Sequence, residues 1–94
     1  MYGTVMTGRL RGSVDDLLQL MKEWESERDV PGYVDMQLLL ADDGRTVVQT
    51  VRFADKASYD ALADDAEQAA WWESKAAQLL DGEPTWTDGT WLDR

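Results

Sequence analysis

The chain has 94 residues and a formal net charge of −10, and it contains no His, Cys or Asn. The charge argues against nucleic acid and anionic membranes, which are gripped by clustered Lys and Arg, while the missing side chains exclude imidazole acid/base work, thiol nucleophiles, disulfides and the common zinc sets. The length suits one domain over 1–94, and with no membrane-length apolar run or signal-peptide pattern the expected location is cytoplasmic.

In chain order, "YGTVMTGRL" (2–10) is rich in β-formers and reads as the first strand. Its buried face stays open, because Tyr2, Thr4, Met6 and Leu10 compete with Val5 and Thr7. The next segment, "GSVDDLLQLMKEWESERD", places Ser13 as N-cap with Asp15 and Asp16 in the first turn. A helical stripe follows at Val14, Leu17, Leu18, Met21 and Trp24. Pro31-Gly32 closes the connection.

"GYVDMQLLLADDGRTVVQTVRF" holds two β-patterned runs around Asp43-Gly44. An Asp-Gly step in that setting predicts a hairpin with a two-residue type I′ turn. The register then pairs Leu40 with Val47, Leu38 with Gln49, Met36 with Val51 and Val34 with Phe53. On the other face Leu39 meets Val48, Gln37 meets Thr50, and Asp35 meets Arg52 as opposite charges. One apolar face and one charge pair emerging together support that register.

"ADKASYDALADDAEQAAWWESKAAQLLDG" reads as helical, with Asp55 as N-cap, Gly82 as stop and a break at "ADDAEQ". On an ideal wheel Trp72 shares the inward side with Ala69, Glu73, Ala76, Leu79 and Leu80. Trp71 projects outward with Glu67, Ser74, Lys75 and Gln78. The closing "EPTWTDGTWLDR" is strand-like, and Trp86 and Trp91, five apart, fall on opposite faces of a regular strand. A bulge or a hairpin at Asp88-Gly89 would bring them together.

The order β-α-β-β-α-β is the ferredoxin-like α+β arrangement, an antiparallel sheet with two helices on one face. The second sheet face then carries Tyr33, Asp35, Gln37, Leu39, Val48, Thr50 and Arg52. It is too apolar for plain solvent and too polar for a dry core, which suggests a second copy of the chain as its cover. Asp35 and Arg52 read first as a structural pair on that dimer-facing side.

Over nearly its whole length the chain resembles the antibiotic biosynthesis monooxygenase family of dimeric α+β-barrel proteins. The resemblance rests on the element order, on "VPGYVDMQLLLADDGRTVVQTVRFADKASYDAL", and on the short closing strand. Pro31-Gly32 leads into strand two, and Phe53 and Tyr59 occupy the family's aromatic positions at the end of strand three and on helix two. The resemblance implies homodimers packed sheet to sheet, with a small hydrophobic pocket between each sheet and its helices. It also implies either cofactor-independent oxygenation of polyketide-like aromatics or haem degradation. The haem-degrading type needs a histidine on helix two, an asparagine on strand one and usually a tryptophan where Phe53 stands. Haem degradation by that scheme is therefore disfavoured.

The pocket candidates are Trp24, Gln49, Phe53, Tyr59, Trp72 and Glu73. Gln49 and Glu73 are polar intruders on apolar surfaces, able to orient a small hydrophobic or aromatic ligand, and Thr7 joins them if strand one faces that way. The plainer readings are core packing for Trp72 and a solvated stripe edge for Glu73. The dimer candidates are Tyr33, Asp35, Gln37, Thr50 and Arg52. The acidic pairs Asp42-Asp43 and Asp64-Asp65 lack the alternating ligand loop of a calcium site, so no metal is expected, nor any cofactor. No residue pattern singles out a catalytic group. Two functions stand open: a cofactor-independent oxygenase of an aromatic metabolite, and a non-catalytic ligand-binding or accessory protein that keeps the fold.

Overall fold

Four antiparallel strands form one sheet in the order β2-β3-β1-β4, in a computed structural model that describes Met1–Arg94. The strands are β1 (Tyr2–Arg9), β2 (Tyr33–Leu40), β3 (Thr46–Phe53) and β4 (Thr85–Thr90). Helix α1 (Val14–Glu27) crosses from β1 to β2. The second crossover, from β3 to β4, runs through α2 (Lys56–Ala63), α3 (Ala66–Trp71), a π-helical turn (Trp72–Ala76) and a 3-10 turn (Ala77–Leu79). Each crossover leaves room for one strand between its ends, which interleaves the two β-α-β units into a ferredoxin-like α+β fold. No helix is long and apolar enough to cross a membrane.

Both helix starts obey their sequence signals. The Ser13 hydroxyl accepts the N–H of Asp16 at 3.1 Å, and the Asp55 carboxylate accepts that of Ser58 at 2.8 Å. Along α1 the buried stripe is Leu17, Leu20, Met21 and Trp24. Leu18, expected inside, is 41% exposed. Trp24 shifts the centre of the stripe: at roughly 100° per residue Leu20 falls beside Leu17 and Trp24, while Leu18 lies beyond Met21.

The β2–β3 register matches the expected pairing from Leu40–Val47 to Asp35–Arg52. Two details differ. The loop has four residues, since the Ala41 N–H still donates to the carbonyl of Thr46 at 2.8 Å, while the Ala41 carbonyl accepts the N–H of Gly44 within the turn at 2.9 Å. Gly44 has φ +73° but Asp43 does not share a positive φ, so the turn is not type I′. The Asp43 carboxylate instead accepts the N–H groups of Arg45 and Thr46, both at 2.8 Å, and the Thr46 hydroxyl at 2.7 Å. The second difference is a bulge between Tyr33 and Asp35. It sets Tyr33, not Val34, opposite Phe53 and leaves Val34 exposed.

That bulge corrects one interface assignment. Tyr33 turns to the helix side, where its ring meets Trp24 (5.1 Å between centroids) and Phe53 (5.8 Å). Its hydroxyl donates to Glu25 at 2.6 Å, and burial, with that carboxylate, raises its pKa. Tyr33 is therefore not part of the open sheet face.

Strand β1 buries Thr4, Met6 and Leu10 against the helices, which places Thr7 on the opposite, exposed side. Strand β4 pairs with β1 without a shift, so it is one regular strand and neither a bulge nor a hairpin forms at Asp88-Gly89. Trp86 faces the helices, where it contacts Trp72. Trp91 follows β4 on the far face and donates its indole N–H to the carbonyl of Val51 at 3.3 Å. That close approach requires glycine at position 3, because a Cβ there would stand 2.7 Å from the Trp91 nitrogen and collide with the Val51 carbonyl.

The segment 66–80 departs most from expectation. The N–H of Ala77 bonds to the carbonyl of Trp72, an i→i+5 link that inserts one extra residue into the turn. In an ideal helix Trp71 sits roughly 140° around the axis from Ala76, and one inserted residue reduces that to roughly 40°. Trp71 is thus turned inward, and the outward reading of it is wrong. Nor does the helix run on to Gly82. It stops at Leu79, because Leu80 bridges to Leu10 and Asp81 donates to the carbonyl of Arg9 at 2.7 Å.

Candidate functional site

The sequence places tryptophan, phenylalanine and methionine on the inner surfaces of both layers, and such bulky, irregular groups do not close completely over a sheet. Between sheet and helices lies a cavity of about 340 Å³, open to solvent at one side. It is far larger than the roughly 30 Å³ a water occupies and reaches the range of small-molecule sites. Its lining includes Trp24, Gln49, Phe53, Tyr59, Trp72 and Glu73, so the structure brings all six pocket candidates together. Thr4 lines it and Thr7 does not, and Trp71 and Trp86 complete its aromatic wall.

The adjacent tryptophans divide between two aromatic groups. Trp71 packs toward Trp24 on α1 with centroids 6.3 Å apart, and Trp72 meets Trp86 on β4 at 5.0 Å, edge to face. From Trp24 the contacts continue through Tyr33 and Phe53 to Tyr59, whose ring lies 5.5 Å from that of Phe53. Such offset geometries suit the ring quadrupole.

Gln49 is 5% exposed on an otherwise apolar stretch of β3. Its amide nitrogen donates to two thioether sulfurs, Met21 at 3.4 Å and Met36 at 3.2 Å. Those weak contacts hold the amide plane, and the carbonyl oxygen takes no donor from the chain. Since no sealed polar side-chain atom lacks a partner, that oxygen opens into the cavity.

Tyr59 donates its hydroxyl to Asp88 at 2.9 Å across from α2 to β4. Burial, reinforced by that carboxylate, pushes its pKa up to about 12, so the phenol stays protonated at neutral pH. The Thr4 hydroxyl donates to the carbonyl of Thr87 at 3.1 Å. Glu73, on the π-helical turn, is exposed at the cavity rim, in line with its plainer reading.

A polar clamp holds two of the lining residues, Trp24 and Gln68. The Gln68 carbonyl accepts the indole N–H of Trp24 at 3.0 Å and a guanidinium N–H of Arg28 at 2.8 Å, and Arg28 pairs with Asp65 at 3.0 Å. These bonds tie the end of α1 to the start of α3. Sequence reasoning missed Gln68 and Arg28, which carry no spacing signal. Trp86 was accessible by parity, because even-numbered residues of β1 and β4 pair face to face.

In sequence the chain matches no family model and no curated protein. In fold it is similar to the ActVA-Orf6 monooxygenase of Streptomyces coelicolor, solved with the ligand nanaomycin D. That similarity has 21% identity and a TM-score of 0.75 over 99% of this chain and 88% of the other. SnoaB, a cofactor-independent oxygenase from Streptomyces nogalater, is similar at 17% identity and TM-score 0.70, over 99% and 92%. A dimeric ferredoxin-like protein of unknown function from Jannaschia matches at 16% and 0.66, over 96% and 99%. The fold is therefore the one used by antibiotic biosynthesis monooxygenase-type proteins, as the sequence resemblance implied.

Proposed function

We propose that the protein is a small-molecule-binding protein of the antibiotic biosynthesis monooxygenase type, acting as a cofactor-independent oxygenase of an aromatic ligand. The observation that carries this reading is the cavity itself, whose aromatic walls enclose one oriented carboxamide oxygen. A flat ring stacks against the indoles, and a hydroxyl on that ring donates to Gln49. On this reading the ligand supplies its own electrons. One oxygen atom of O2 becomes a ring carbonyl, and the other leaves as water with two hydrogens from the oxidised ring carbon. Oxygen uptake with a panel of anthrone-type and polyphenolic rings tests this: consumption above the uncatalysed rate, reduced at least tenfold in Gln49→Ala, is expected. Ligands that bind without any oxygen uptake would leave the second reading, a non-catalytic binding protein. That reading is favoured by the scarcity of bases, since Glu73 at the rim is the one carboxylate lining the cavity.

The protein acts as a homodimer on this proposal, through the sheet face opposite the helices. Leu39 is 63% exposed there. Beside it the Arg52 guanidinium forks onto Asp35 at 2.8 and 2.6 Å, an ordered pair that holds the Asp35 carboxyl below its usual range. Gln37 and Thr50 pair next to them. Light scattering is expected to give twice the 10.6 kDa chain mass, and Leu39→Asp to return the monomer. A wild-type monomer persisting at millimolar concentration would sink the dimer.

A further inference from the structure

The polar groups that face the cavity are mostly acceptors, and none of them is a cation. Gln49 presents its carbonyl oxygen, because its amide N–H groups are spent on Met21 and Met36. Tyr59 presents oxygen lone pairs, because its proton is given to Asp88. Thr4 has likewise given its proton to the carbonyl of Thr87. Glu73 can only accept when ionised. No lysine or arginine lines the space. The nearest guanidinium, Arg28, is engaged by Gln68 and Asp65, and the Lys56 ammonium is engaged by Asp60 at 2.6 Å. The donors that remain are the amide N–H groups of Gln68, whose carbonyl is taken by Trp24 and Arg28, and indole N–H groups, none of which carries a charge.

A site that offers acceptors, a carboxylate and aromatic faces but only uncharged donors discriminates by charge. An anionic group entering it loses its hydration and meets Glu73, with no cation to compensate. A donor such as a phenol or an ammonium finds acceptors waiting, and an ammonium also gains from the negative faces of the tryptophan rings. The net charge of −10 adds to the same preference at longer range.

We infer that the cavity selects an aromatic ligand whose polar group is an uncharged or cationic hydrogen-bond donor, an ammonium best of all, and that it rejects carboxylates of the same shape. The inference rests on the cavity being the ligand site proposed above, and it names the class of ligand that site admits. Isothermal titration calorimetry of the full chain tests it with 2-naphthylmethylamine, 2-naphthol, naphthalene and 2-naphthoate at neutral pH and 0.3 M salt. The expected order is amine, naphthol, naphthalene, naphthoate, with amine and naphthoate at least tenfold apart. Glu73→Gln should reduce amine affinity several-fold and leave naphthol unchanged. Asp42→Asn, on the distant hairpin loop, should change neither, which separates the site from the general field. Naphthoate binding as tightly as the amine would overturn the inference while leaving the ligand site intact. Equal losses in Glu73→Gln and Asp42→Asn would also overturn it, by tracing the preference to surface charge. Failure of every probe to bind would overturn the site and the inference together.

Discussion

The β2–β3 hairpin and the segment 66–80 were both read from periodicity, and they behave differently. In the hairpin, six successive cross-strand pairs stand where alternation puts them, although the turn has four residues and not two. In 66–80, one i→i+5 bond turns Trp71 from the surface to the cavity. A strand's register is held by its neighbour through a ladder of bonds, so an altered turn is absorbed at the tip. A helix refers only to itself, and one extra residue rotates everything beyond it by about 100°.

The largest effect should come from the hairpin's inner end. Phe53 is fully buried and touches both Tyr33 and Tyr59. Phe53→Ala is expected to lose about 3–5 kcal/mol in urea melts, and a loss under 1 kcal/mol would mean that this end of the ladder is not the anchor it looks to be.

The tryptophan pair addresses the irregular segment. Both side chains are half-buried and both meet another indole. Trp71→Ala and Trp72→Ala should therefore each lose about 2 kcal/mol, roughly half the value for a fully buried aromatic. An ideal wheel predicts loss at Trp72 alone. Melts at two protein concentrations complete the test, because an oligomer contact at Trp71 would make its loss concentration-dependent.

The smallest effect belongs to the hairpin tip. Hydrogen bonds from Thr46 and Arg45 hold the Asp43 carboxyl down to about 2, against 3.8 for the free side chain. A depressed folded-state pKa contributes stability that is complete above about pH 4 and is lost as pH falls from there to about 2. Asp43→Ala should accordingly show a shallower decline in denaturation midpoint across that window than the parent chain. Identical declines would place the acid sensitivity at Asp35 and Asp55, whose carboxyls are lowered by Arg52 and Ser58.

Much of this was legible because it depends on local rules. The caps at Ser13 and Asp55, the order of elements along the chain and the Asp35–Arg52 pair follow from side-chain chemistry and alternation. So does the gathering of Gln49 and Phe53 on one face, which put the six pocket candidates around one space. The remaining features depend mostly on contacts between elements. The bulge that turns Tyr33 inward is stabilised by Trp24 and Glu25 on α1, and the early helix stop by pairing of Leu80 and Asp81 with the end of β1, whereas the shift from Leu18 to Leu20 follows from centring the α1 stripe on Trp24. A window confined to one strand or one helix end contains neither of the first two terms.

The distribution of the five tryptophans has an optical consequence. Trp24, Trp71, Trp72 and Trp86 all border the cavity, in two pairs with centroids 6.3 and 5.0 Å apart. Transition dipoles that close couple, so the strong far-ultraviolet indole transitions are expected to give exciton bands that follow cavity geometry. Trp91 stands alone on the opposite side of the sheet, bonded to the Val51 carbonyl. Its emission reports the outer face. Four of the five indoles thus absorb on the cavity side, and the fifth lies across the sheet from them.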